Sequence, residues 1–198
     1  MARPRQFDEE RALDAAMRAF WANGYEATST QDLCEATGLG RSSIYNTFVS
    51  KHDLFERALG RYIDMMTSTQ LELLQDERLG PLERIRALFA TVVDGEMKER
   101  RDGRSIGCLA VNSTVELARR DTRAAALLER DLARRLDALR TVIATGRSAG
   151  EITSRRDPLT LARYLNSVIA GLRVAGQGGA DRADLEGIVD AAMDALTH

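Results

Sequence analysis

The sequence predicts an all-α protein in which three short helices lead through a long connecting helix into a larger helical body. Three observations predict it. No stretch alternates β-branched and polar residues, and no hairpin dipeptide joins two such runs. Apolar residues recur at i, i+3, i+4 and i+7 in every long segment. Glycine and proline fall where helices begin or end: Pro81 and Pro158 follow Gly80 and Asp157, the arrangement of a first helical residue behind its cap.

The elements follow in order. A first helix runs from about Asp8 to Asn23, with Leu13, Ala16, Met17 and Phe20 on one face and Gly24 as its stop. A second starts behind Ser29-Thr30 and ends at Gly38. A third covers Arg41 to Phe48. Ser50 then caps a fourth, in which Leu54, Phe55, Ala58, Leu59, Tyr62, Ile63 and Met66 form one apolar stripe. Further helices are expected at 81–101, 105–119, 122–148, 157–175 and 181–197, with loops around Asp102-Gly103 and Gly178-Gly179. A small module ahead of a large body suggests two jobs, divided near residue 52 into 1–52 and 53–198.

Composition narrows the class. With 198 residues, 44% hydrophobic and 29% charged, the chain can bury a substantial core. No run approaches the roughly 18 apolar residues of a membrane span, and the opening MARPRQFDEE is charged where a signal peptide is apolar. These features place the protein in the cytoplasm. Cys34 and Cys108 form neither a disulfide framework nor a metal-ligand spacing. A net charge of −2 argues against a phosphate-binding surface taken as a sum, but the distribution does not. Residues 1–7 hold Arg3 and Arg5 with no acid, and residues 36–52 hold Arg41, Lys51 and His52 with no acid.

Residues 30–48 read as helix, the turn Gly38-Leu39-Gly40, and helix. That is the geometry in which a second helix enters the major groove of DNA. Ile44 and Phe48, four apart, face inward toward Leu33, Cys34 and Phe20. Arg41, Ser42, Ser43, Tyr45, Asn46 and Thr47 face outward with donors and acceptors long enough to reach base edges or phosphates. Small residues at the helix start let its free N–H groups approach a phosphate. Thr30 offers a hydroxyl from the preceding helix, and Lys51 with His52 offers cations from the following one. A merely solvated polar face has the same composition, but an exposed aromatic at Tyr45 is unusual for one.

The stretch AAMRAFWANGYEATSTQDLCEATGLGRSSIYNTFVSKHDLF resembles the DNA-binding domain of TetR-type transcriptional regulators. It carries the alanine-rich first helix ending in Phe, the Gly-Tyr step, the Thr start of the second helix, and the spacing Ile-Tyr-x-x-Phe-x-x-Lys-x-x-Leu. Cys34 stands where the family tends to have alanine, and Asn46-Thr47 occupy variable positions. The resemblance implies that Thr30, Tyr45 and Lys51 contact phosphates while Arg41, Ser42, Ser43 and Asn46 lie over the bases of double-stranded DNA. It implies a C-terminal helical domain that binds a small-molecule effector and dimerises through its last two helices. A homodimer in turn implies a palindromic operator.

In that body, residues 157–175 carry Leu161, Leu165, Val168, Ile169 and Leu172, and residues 181–197 carry Leu185, Ile188, Val189, Ala192 and Leu196. Both stripes suit a four-helix dimer interface or a core within one chain. The run GCLAVNSTVEL, residues 107–117, sets Cys108, Asn112, Val115 and Glu116 on one side of a helix among Leu109 and Val111. Embedded polar groups need partners, so Cys108, Asn112 and Glu116 are candidates for an effector site; a similar run occurs in a subset of TetR-type regulators. Pairing of Glu116 with Arg120, capping by Asn112 and simple packing of Cys108 are the structural alternatives. Arg104, one turn before Cys108 near a helix start, raises a thiol-based electrophile or redox sensor of the same fold. An all-α enzyme built on Cys108, Asn112 and Glu116 lacks a base, since His52 and His198 lie far away in sequence. A protein-interaction module using the Tyr45 face is the other rival. No cofactor and no enzymatic activity are expected.

Overall fold

The structure, a computed structural model, describes residues 3–101 and 103–198, and for residues 3–8, 101 and 104 it describes the backbone alone. The Arg3 and Arg5 side chains, expected as a positive patch, lie outside what is described. Nine helices are present among the described residues: α1 (Arg3–Asn23), α2 (Thr30–Thr37), α3 (Arg41–Phe48), α4 (Lys51–Gln75), α5 (Pro81–Lys98), α6 (Leu109–Leu117), α7 (Thr122–Ser148), α8 (Pro158–Gly178) and α9 (Arg182–Thr197). None of them is long and apolar enough to cross a membrane.

Helix ends follow the local chemistry. Gly24, at φ +82°, donates its N–H to the Phe20 carbonyl and ends α1. Ser29 and Asp32 form a reciprocal capping box at the start of α2. Asp157 accepts from the Thr160 N–H ahead of Pro158, and Asp181 with Asp184 closes the start of α9.

One expectation needs correction. The segment 105–119 is not helical from its start: β1 (Arg100–Arg101) and β2 (Arg104–Ser105) pair antiparallel, and α6 begins only at Leu109. The turn carries Gly103 at φ +80°, and the Ser105 hydroxyl is held by the Glu96 carboxylate. The flanking side chains are arginines and a serine, so the pairing leaves no alternating apolar signature.

Packing divides the chain into two compact units. The first comprises residues up to Met65 together with Cys108–Leu128, the second Met66–Gly107 with Glu129–His198. The proposed functional boundary at residue 52 is therefore not where packing changes. In the first unit Phe20, Leu33, Ile44, Phe48, Leu54 and Phe55 are buried together with Leu109 and Leu117 of α6. Each such side chain contributes about 1.5–3 kcal/mol on leaving water. The Phe20 and Phe55 rings meet edge-to-face at 5.2 Å between centroids.

The second unit has its own core, made by Ile85, Leu88, Phe89, Leu139, Ile143, Leu161, Leu165, Leu172, Leu185 and Leu196 among others. The α8 and α9 stripes read from the sequence thus pack within one chain; of their members Ile188 stays exposed and Val168 is partly buried. Inside this unit the Arg173 guanidinium donates to Glu96 at 2.6 Å, with both side chains buried.

Candidate nucleic-acid interface

The turn between α2 and α3 is built by two glycines with different reasons. Gly38 adopts φ +70°, the left-handed cap that returns its N–H to the Cys34 carbonyl. Gly40 has an ordinary φ of −68°, and a side chain there would meet nothing within 4 Å. It leaves the start of α3 without a side-chain cap; the Gly40 carbonyl takes the Ser43 N–H at 2.9 Å, and a helix start left without a side-chain cap favours an anion.

Two residues fix α3 to the unit. Ile44 and Phe48 are fully buried, while Arg41, Ser42, Ser43, Tyr45 and Asn46 are exposed and Thr47 is half-buried. Tyr45 is 37% exposed, and its hydroxyl lies 3.2 Å from the Thr30 hydroxyl. The hydrogen bond with Thr30, and then the one with Arg41, hold the Tyr45 phenol below its ordinary pKa. Thr30 and Tyr45, 15 residues apart in sequence, thus form one polar edge. Lys51 stands in the first turn of α4 with its ammonium 4.4 Å from the centre of the Tyr25 ring. Between α3 and Lys51, Val49 takes φ +57° and ψ −49°, and Ser50 caps α4 through the Asp53 N–H.

His52 departs from the expected cationic patch. Its Nε2 lies 2.5 Å from Asp121 and its Nδ1 3.8 Å from Glu56, so it turns toward the acids of its own unit. Tyr25, missed by the sequence reading apart from the Gly-Tyr step, packs against Phe20, Phe55 and His52. Burial, then the nearby acids Glu26, Asp121, Glu116 and Glu56, push its phenol above the ordinary value.

The α6 candidates belong to this same unit. Cys108 is the N-cap of α6, and Cys108, Asn112 and Glu116 form a half-buried stripe. Glu116 is already engaged. Its carboxylate accepts the N–H groups of Tyr25 at 3.0 Å and Glu26 at 2.8 Å, holding the loop after α1. A side chain at Gly24 would come 3.1 Å from that carboxylate, a tight contact, so glycine there suits the positive φ first and the close carboxylate second. Val115 does not share the embedded side; it is 85% exposed, and Ser113 is the polar residue that α6 buries. The arginine invoked to activate Cys108 is not on its helix either, since Arg104 lies in β2.

Comparison with known proteins bears on this geometry. The family model described as "Bacterial regulatory proteins, tetR family" matches residues 12–58. A second, "Tetracyclin repressor-like, C-terminal domain", matches residues 81–193. The chain is 32% identical to the HTH-type transcriptional repressor ComR of Escherichia coli (strain K12), over 90% of this chain and 83% of that one. It is also 32% identical to the HTH-type transcriptional regulator YezE of Bacillus subtilis (strain 168), over 99% of this chain and 100% of that one. Among solved structures, a cysteine mutant of the TetR family transcriptional regulator CifR in complex with 26bp double-strand operator DNA is similar, at TM-score 0.82 and 27% identity, over 98% of this chain and 100% of that one.

Proposed function

Since the chain belongs to the tetR family of bacterial regulatory proteins, we propose that it is a cytoplasmic repressor that binds a palindromic operator as a homodimer and leaves it when a small-molecule effector binds. The observation that carries the reading is α3 itself. Ile44 and Phe48 anchor it, and every other side chain but Thr47 points to solvent. The uncapped start of α3 admits a phosphate, Thr30, Tyr45 and Lys51 flank it as further phosphate contacts, and Arg41, Ser42, Ser43 and Asn46 read bases.

Dimerisation is supported by surfaces that α8 and α9 leave uncovered. Tyr164, Val174 and Ile188 are exposed. Side chains at Gly171 and Gly187 would meet nothing within 4 Å, so glycine there serves no packing within the chain. Glycine in a helix interior costs about 0.8–1 kcal/mol relative to alanine, a cost that close approach of a second copy offsets.

The effector acts through α6 in this reading. Cys108 and Asn112 sit on the stripe whose far end, Glu116, holds the α1–α2 loop. A ligand that binds better to a displaced α6 draws population toward a state in which the two reading heads no longer match successive grooves.

The test is fluorescence anisotropy on DNA from upstream of the protein's own gene, across a salt series. Lys51→Ala is expected to weaken binding to all sequences alike and to lower the salt slope by about one. Absence of any specifically bound fragment in the genome, or full affinity in both Lys51→Ala and Tyr45→Ala, overturns the reading.

A further inference from the structure

One corner of the first unit gathers three ionisable side chains for which DNA recognition has no use. His52 and Glu56 lie one turn apart on α4, and Asp121 stands immediately before α7. Their ligand-capable atoms all lie within 4.8 Å of one another. Asp121 divides its work between its oxygens. Oδ1 accepts the Arg123 and Ala124 N–H groups, both at 3.0 Å, which caps α7, and Oδ2 faces His52.

Glu56 is the anomaly. It is more than nine-tenths buried; its Oε2 pairs with Arg123, and its Oε1 has no hydrogen-bond partner. A buried charged acceptor without a donor is costly, and native proteins rarely keep one without a use. That oxygen is aimed into the corner, 3.8 Å from His52 Nδ1. Among the described residues, the guanidinium on Glu56 belongs to Arg123, whose side chain is 66% exposed to solvent. Two carboxylates thus meet, among the described residues, one largely solvated guanidinium.

We propose that His52, Glu56 and Asp121 form a binding site for a divalent transition-metal ion of the Zn2+ type. One imidazole nitrogen and two carboxylate oxygens, with water in the fourth position, make a donor set suited to Zn2+; Mg2+ prefers oxygen ligands and octahedral geometry. Two ligands at i and i+4 meet one ion because the helix sets them on one face. A turn of the half-buried imidazole, whose ring meets the edge of Tyr25, exchanges its hydrogen bond to Asp121 for shared coordination. The ion gives Glu56 Oε1 its missing partner and joins the first turn of α4, next to Lys51, to the start of α7.

The experiment uses the full chain freed of metal by a chelator and titrated with Zn2+ alone, then with Mg2+ alone, by calorimetry and by thermal melting. Expected are one Zn2+ per chain, a raised melting temperature, and neither effect from Mg2+. Replacement of both cysteines, Cys34→Ser with Cys108→Ser, keeps the site, and Co2+ in its place gives a visible spectrum without a thiolate charge-transfer band. Glu56→Gln weakens Zn2+ binding at least about tenfold while the metal-free protein still melts cooperatively; should that variant not fold, His52→Gln serves in its place. The proposal is overturned by absence of stoichiometric binding, by binding lost with the cysteines, or by undiminished binding in the folded variants. A metal-independent stabilisation at low pH that vanishes in His52→Gln would assign the corner to a proton instead. None of these readouts depends on operator binding.

Discussion

The two compact units spend their buried charge differently. In the first, half-buried carboxylates serve the backbone, Glu116 holding two N–H groups of the α1–α2 loop and Asp121 capping α7, while the buried Glu56 meets the largely solvated Arg123. In the second, charge meets charge across 77 residues of sequence, Arg173 on Glu96, with the Ser105 hydroxyl on the same carboxylate. Asp131 repeats the pattern there, taking the Thr67 hydroxyl at 2.5 Å and Arg135 at 3.0 Å, while Arg135 also reaches Asn166. A carboxylate on backbone N–H groups fixes where a loop sits; a buried ion pair fixes which helices are neighbours.

The largest effect is therefore expected in the second unit. Arg173→Met strands the Glu96 carboxylate in a buried site, and removing one partner of such a pair costs about 3–5 kcal/mol. The double variant Arg173→Met with Glu96→Met removes both charges and is expected to recover most of that loss. Urea denaturation reads both. A single variant within 1 kcal/mol of wild type, by the usual scatter of surface substitutions of about 0.5 kcal/mol, would mean that the pair is solvated and that the contrast between the units fails.

Glu116→Ala tests the first unit's use of charge. Two charge-assisted hydrogen bonds are lost, but the Glu26 N–H is exposed and finds water, so a destabilisation of about 1–2 kcal/mol is expected. Operator affinity should fall as well, although α3 keeps all its surface side chains, because the α1–α2 loop loses its seat. Unchanged operator affinity would remove α6 from the proposed route between effector and DNA.

The same contrast explains what the sequence made legible. The bounds of α3 and α7 read from the sequence match the structure, since glycine turns, caps and apolar spacing are local signals. The orientation of α3 was legible too, because Ile44 and Phe48 are the large side chains without a polar atom between the turn and Val49. What escaped were pairings that no local pattern encodes. Nothing near Glu116 points to Tyr25 and Glu26, some 90 residues earlier. The charge patch counted His52 with Lys51, yet the acids that draw His52 inward are Glu56, just beyond the counted window, and Asp121, 69 residues away. The hairpin before α6 was hidden because its strands hold two residues each.

The smallest expected effect concerns backbone conformation. In the second unit the positive-φ positions among the described residues are glycines, Gly103, Gly107, Gly150 and Gly179, whereas the first unit also places a β-branched residue there, Val49. Its side chain is 79% exposed and buries little in return. Such a conformation costs about 1–3 kcal/mol, and glycine relieves it at an unfolded-state entropy cost of about 0.4–1 kcal/mol. Val49→Gly is thus expected to stabilise the protein by about 1 kcal/mol. It should nevertheless bind operator less tightly, because the strained residue fixes the step from α3 to Lys51, and a freer step spreads the ammonium over more positions. Equal or tighter operator binding by a stabilised Val49→Gly would show that the strain serves no aim at DNA, leaving the two units different in charge but not in the use of a constrained backbone.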